Sequence, residues 1–194
     1  MPAKVPALNN PQNFRMEESP RAKAYFSKQS FTRVDKSMIS ELKEASRNSG
    51  GKNVRLCLHE RPESTFHNMI ILEHRGKYYR PHKHRRKHEI FHIIEGSMAI
   101  FLFGKDGSLA EIVRLGRNAD LVLRISKGTY HCIMPLSDIV VYHESNPGPY
   151  LAKDNSIFPA WAPDCKDKFG VIKFRHKLLA AMRQPELQKN SRVG

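Results

Sequence analysis

Short apolar runs separated by turn residues dominate the middle of the chain. Val54-Arg55-Leu56-Cys57-Leu58 alternates, and HNMIILEH (67–74) is nearly all apolar at its centre. Glu89 to Glu95, Ser97 to Phe103, Leu109 to Leu115, Leu121 to Ile125, Tyr130 to Met134 and Ile139 to Glu144 follow in the same manner. Gly96, Lys105-Asp106-Gly107, Ser126-Lys127-Gly128 and Pro135-Leu136-Ser137-Asp138 punctuate them. Strands this short, broken by turns at this density, predict an all-β sandwich or barrel.

The flanks carry other patterns. Met38, Ile39, Leu42 and Ala45 recur at helical spacing, with Asp35 or Ser37 as cap and Gly50-Gly51 as stop. This predicts a helix over 36–48 that lays its apolar stripe on the barrel. Met1 to about Ser30 is rich in Pro, Asn, Lys and Arg and has no clean apolar period. It is expected to be a loose arm, dispensable for the fold, as are the residues after Pro185. FRHKLLAAMR (174–183) predicts a short basic helix, and QKNSRVG a frayed end. The chain then divides into an arm and helix over 1–50, a barrel over 51–165, and a basic helix and tail over 166–194.

Candidate chemistry gathers between Gly76 and Gly96, in GKYYRPHKHRRKHEIFHIIEG. His82 and His84 are two apart, so on an extended segment their side chains leave the same face. With Glu89 returning on the next strand they form a 2-His-1-carboxylate arrangement able to hold one divalent metal with positions open for water or substrate. His131, in SKGTYH, is a fourth candidate ligand.

The spacing G-x5-H-x-H-x4-E-x6-G resembles the first signature motif of the cupin superfamily. The second motif keeps Gly128 and His131, while Ser126 replaces its proline, Pro135 its distal asparagine and Asp120 its opening glycine. GTYH, VYHE, GPY and WAP extend the resemblance, over roughly Asn53 to Pro163, to the WbuC-type cupin-fold metalloproteins associated with bacterial surface-polysaccharide (O-antigen) gene clusters. The resemblance implies a cupin jelly-roll barrel holding one divalent metal, which in cupins is iron, manganese, nickel, zinc or cobalt. It also raises a homodimer of barrels. By motif, His143 and Glu144 resemble the family's HE pair; one of them should face the cavity and be available for proton transfer.

Charge adds a partner class. Lys and Arg total 33 against 19 Asp and Glu, a formal net charge of +14. Such an excess favours acidic partners. Arg80, Lys83, Arg85, Arg86 and Lys87 surround the ligands in sequence and suggest a positive rim attracting a phosphate- or carboxylate-bearing ligand, with Tyr78 and Tyr79 as a flat wall for a sugar ring. The basic tail (Lys166 to Arg192) lacks the interleaved aromatics of a single-strand binder and any DNA-reading motif, so a solvated face is the better reading than nucleic acid. Three cysteines, Cys57, Cys132 and Cys165, form no metal-type pair, and no leader-like segment opens the chain, which points to free thiols in a reducing cytoplasm. No apolar run approaches the ~20 residues of a membrane span. Function therefore lies between a metal-dependent enzyme acting on a sugar or nucleotide-sugar, an iron-type oxygenase, and a cupin that binds or senses a small acid without catalysis.

Overall fold

In the computed structural model, which describes residues 7–20, 22–151 and 156–184, ten strands form two sheets. They are β1 (Phe14–Glu18), β2 (Ala22–Ser27), β3 (Asn53–Cys57), β4 (Phe66–His74), β5 (Glu89–Glu95), β6 (Ser97–Phe103), β7 (Leu109–Gly116), β8 (Val122–Ile125), β9 (Tyr130–Pro135) and β10 (Ile139–Pro147). The larger sheet runs β1-β2-β3-β4-β10-β5-β8 and the smaller β7-β6-β9. The two face each other as a cupin-like barrel, with helix α1 (Lys36–Asn48) outside the larger sheet and α2 (Lys168–Ala181) outside the smaller.

The larger sheet buries apolar side chains on both faces. Inward, Met69, Ile71, Phe91, Ile93 and Tyr142 meet Met98, Ile100, Val113 and Leu115 of the smaller sheet. Outward, Val54, Leu56, Ile70, Leu72 and Val141 lie beneath Met38, Ile39 and Leu42 of α1. The Asp35 side chain accepts the Met38 N–H at 3.0 Å and starts α1 where the sequence predicts; Gly50, at φ +71°, closes it. Gly96, at φ +77°, turns β5 into β6. A Cβ there would lie 2.3 Å from Ser137 Oγ and 2.5 Å from the Ile139 carbonyl, so the position admits only glycine.

Two expectations are corrected. Residues 14–27 are not a loose arm: β1 and β2 form a hairpin, and β2 pairs in parallel with β3. A parallel pair needs a crossover connection, and α1 is that crossover. Hairpin, helix and sheet therefore form one packed unit. The C-terminal helix also begins six residues before the predicted Phe174, because Asp167 accepts the Gly170 N–H at 2.9 Å and caps a start there. Its Phe174 and Leu178 pack on Phe101, Phe103, Cys132 and Trp161. The frayed end QKNSRVG and residues 1–6 lie outside the described residues. Cys57 and Cys132 are buried free thiols and Cys165 an exposed one. Among the described residues no helix is long and apolar enough to cross a membrane.

Candidate metal centre

Residues 81–84 are threaded between β9 and the segment at Ile157. His82 exchanges both backbone hydrogen bonds with His131 (2.9 and 2.8 Å), and Lys83 does so with Ile157 (3.1 and 2.9 Å). The Gly128 N–H donates to the His84 carbonyl at 2.7 Å. In such an antiparallel pair opposed side chains leave the same face, so His82, His84 and His131 project together into the barrel. Glu89, the first residue of β5, meets them from the other sheet.

The four side chains converge, with their ligand atoms all within 4.8 Å of one another. His84 Nε2 lies 3.0 Å from Glu89 Oε1, and His131 Nε2 lies 3.1 Å from Glu89 Oε2. The outer nitrogens set the tautomers. His82 Nδ1 donates to the Arg80 carbonyl at 3.0 Å and His131 Nδ1 to the Thr129 carbonyl at 3.1 Å. In a neutral ring each Nε2 is then left as a lone pair aimed inward, the orientation metal-bound histidines adopt. Burial, helped by the nearby His131, lowers the His82 pKa to about 4, so its ring stays neutral. Burial works to raise the Glu89 pKa, but contacts with His131 and His84 outweigh it and hold the carboxyl below its usual range. The His131 Nε2 and the Glu89 Oε2, 3.1 Å apart, are both able to ligate one shared cation. The donor set fits one divalent metal.

The cluster opens into a cavity of about 610 Å³, within the usual size of small-molecule sites. Of the HE pair, Glu144 faces this cavity and accepts the Asn146 amide N–H at 3.0 Å. Burial, and next the Glu89 charge, push its pKa up to about 8 against the opposing charges of Lys87 and Arg55. His143 turns to the opposite face, where its Nε2 meets Asn68 Oδ1 at 3.2 Å, so the structure does not bring it to the site. In the basic segment, Lys87 lines the cavity with its Nζ 3.6 Å from Glu89 Oε1, while Arg85 and Arg86 are exposed and absent from its lining. Arg80 is held by Asp164 (2.7 Å) and stacks over Phe158. The Tyr78 hydroxyl donates to the Pro163 carbonyl at 2.9 Å and its ring packs on Phe174. Neither Tyr78 nor Arg80 lines the cavity, whereas Tyr79 does.

Other wall residues escape sequence reading. Glu73 and Arg55 face inward from β4 and β3, and Glu17 and Glu18 come from the hairpin. A signal for Glu73 existed: in HNMIILEH it shares parity with Met69 and Ile71, so a charged residue joins an apolar face. Burial pushes its pKa up to about 7, opposed by Tyr79, Arg55 and Tyr142. A folded-state pKa above the unfolded 4.5 means that the native state holds the extra proton. Its contribution is complete below pH 4.5 and fades as pH rises towards 7. Glu73→Gln is expected to remove roughly 3 kcal/mol of that decline, read as the difference in denaturant stability between pH 4.5 and 8. Equal pH slopes in both proteins would refute it.

Residues 34–115 match the model of a domain of unknown function (DUF6016), and no curated protein matches the chain. Among solved structures, KdgF from Halomonas sp. is 20% identical over 52% of this chain and 83% of its own, with a TM-score of 0.41. The capsular polysaccharide assembling protein CapF from Staphylococcus aureus is 15% identical over 75% of this chain, with a TM-score of 0.47. Lactobacillus farciminis oxalate decarboxylase is 18% identical over 49% of this chain, with a TM-score of 0.39. The chain spans only 31% of that CapF and 27% of that decarboxylase. With its two facing sheets and converging His/Glu set, the architecture is cupin-like and carries a cluster able to hold a metal ion.

Proposed function

We propose that this protein is a metal-dependent enzyme acting on a sugar, nucleotide-linked or otherwise anionic, by isomerisation or epimerisation in bacterial surface-polysaccharide synthesis. The observation that carries the reading is the placement of Glu144, a carboxyl on the cavity wall beside the ligand cluster and held there by Asn146. Moving a proton next to a carbonyl needs one acid–base group within reach of the carbon and an electrophile on the oxygen. Glu144 is the side chain suited to hold that proton. A divalent metal on His82, His84, Glu89 and His131 supplies the electrophile when bound. Phe91 and Ile133 offer an apolar surface for the C–H face of a sugar, and Asn146 and Tyr142 groups for its hydroxyls. The surface-polysaccharide setting is supported by the WbuC-type sequence resemblance alone.

The orientation of His143 favours a second reading. With that imidazole on the outer face, the wall has fewer proton carriers than the HE motif suggests, as a small-molecule binder would. Solvent exchange separates the two. Metal-loaded protein incubated with UDP-glucose, UDP-galactose or a 4-keto nucleotide-sugar in deuterated water is expected to place deuterium at a carbon beside the carbonyl of the keto sugar. Glu144→Gln should slow that exchange at least a hundredfold while the sugar still binds. Binding without exchange in the native protein would establish the binder instead.

A further inference from the structure

The inward face of the larger sheet carries polar side chains well beyond the metal cluster, in rows set by the strand register. Asn146 lies beside Glu89 at the level of the cluster, since their strand neighbours Ser145 and Ile90 are paired. Glu144 comes next, opposite Met69, and then Tyr142, opposite Ile71, which is itself opposite Arg55. Glu73 follows two residues beyond Ile71 on the same face. Asn146 and Tyr142 are four residues apart, a separation of ~13 Å along the strand.

Besides Glu89 Oε2 in the cluster itself, two buried oxygens on this wall have no hydrogen-bond partner among the described residues. Glu73 is 5% exposed and its Oε2 accepts no hydrogen bond; Asn146 is 3% exposed and its Oδ1 accepts none. Both residues line the cavity. Buried polar atoms left unpaired in this way are costly, and a ligand removes the cost. Arg55 also lines the cavity, and its guanidinium has no carboxylate at ion-pair distance among the described residues. The other acids of the opening are already taken, Glu18 by Lys52 and Lys23 and Glu17 by Arg15. The Tyr79 hydroxyl is oriented by the Asn53 amide N–H at 2.9 Å.

We infer that Arg55, Glu73 and Tyr79 form a second recognition subsite, which takes the anionic far end of an elongated sugar derivative whose reacting end lies at the metal cluster. Arg55 binds a phosphate or carboxylate, and Glu73 and Tyr79 bind hydroxyls next to it. The span from the cluster exceeds one pyranose ring, so the ligand continues past the ring through a phosphoester or a second acidic unit. Arg55 does what the expected rim of Arg85 and Arg86 does not: of the two cations that line the cavity, Lys87 sits beside Glu89 at the cluster, and Arg55 faces the far wall. This inference rests on the sugar reading above but concerns other residues.

Calorimetric titration of the metal-loaded full chain with UDP-glucose, glucose 1-phosphate and D-glucuronate, using D-glucose as the uncharged control, tests it. At least one anionic probe is expected to bind more tightly than glucose. Arg55→Gln should weaken that binding tenfold or more and Glu73→Gln severalfold, with metal content unchanged in both. The choice among the three probes distinguishes a nucleotide diphosphate, a simple phosphate and a carboxylate as the anion. Equal affinity in native and variant proteins, or no preference for any anionic probe over glucose, would overturn the subsite. Binding that survives metal removal yet fails in Arg55→Gln would sink the metal-dependent reading and leave the subsite standing. Metal-dependent binding indifferent to Arg55 and Glu73 would do the reverse.

Discussion

Protein carrying His84→Ala is expected to lose its metal, with content at least tenfold below that of the native chain, while the barrel stays folded. His84 is one of three imidazoles converging on Glu89, and a divalent ion left with two imidazoles and a carboxylate is held more weakly and exchanges with solvent. The apolar contacts between the two sheets do not involve His84, so far-UV circular dichroism should change little. A second readout is linkage. A metal at a thousand times its dissociation constant stabilises the native state by about 4 kcal/mol. Native protein should therefore melt higher with added metal, and the variant should not respond. Elemental analysis of both, purified without added metal, is the direct check, and full occupancy in the variant would end the assignment.

The residues of the His/Glu cluster were legible because their convergence depends on spacing along the chain. Two histidines at i and i+2 share a face on any extended segment, whichever strand they join. The bounds of α1 were legible because cap, stripe and stop are local signals. The inward partner of the His143–Glu144 pair was not. Alternation reveals parity only when one face meets water, and β10 buries side chains on both, with Val141 under α1 and Tyr142 in the barrel. The hairpin escaped for a related reason. In AKAYFS, Tyr25 and Phe26 are buried on opposite sides, so no single stripe forms, and the flanking lysines make the segment look solvated. Parallel pairing of β2 with β3 joins residues about thirty apart, which no local window detects.

Net charge misled in a specific way. The chain is strongly cationic, yet five carboxyls, Glu17, Glu18, Glu73, Glu89 and Glu144, line the cavity against only Arg55 and Lys87. The surplus lies elsewhere: Arg85 and Arg86 are exposed, as are Lys168, Lys173 and Lys177 on the outside of α2. Total charge describes the field around a protein and its solubility, and it says little about the sign inside a pocket. With Lys87 held beside Glu89, the cation left to meet an anionic ligand on the far wall is the Arg55 guanidinium.

A chain beginning at Phe31, without the β1–β2 hairpin, is expected not to fold cooperatively. Leu8, Phe14, Tyr25 and Phe26 are each at most 5% exposed. Fully burying one such side chain contributes about 1.5–3 kcal/mol, so the four together supply on the order of 6–12 kcal/mol. That is comparable to the whole stability of a typical domain. Deletion also removes one of the two partner strands of β3, leaving the backbone donors and acceptors on that edge unpaired. Leu8 and Tyr25 pack with Met38 and Leu42, and the Leu8 N–H donates to Glu41 at 2.7 Å, so α1 would lose part of its seat. The cavity would lose the wall made by Glu17, Ala22, Ala24 and Phe26. Denaturant titration followed by circular dichroism and tryptophan fluorescence reads the outcome, Trp161 being the single tryptophan and packed with Phe103 and Phe174 in the cluster outside the smaller sheet. A broad transition, or dye-binding apolar surface without denaturant, is the expected result. A truncated chain that melts sharply with the native midpoint would show that the hairpin lies on a core complete without it.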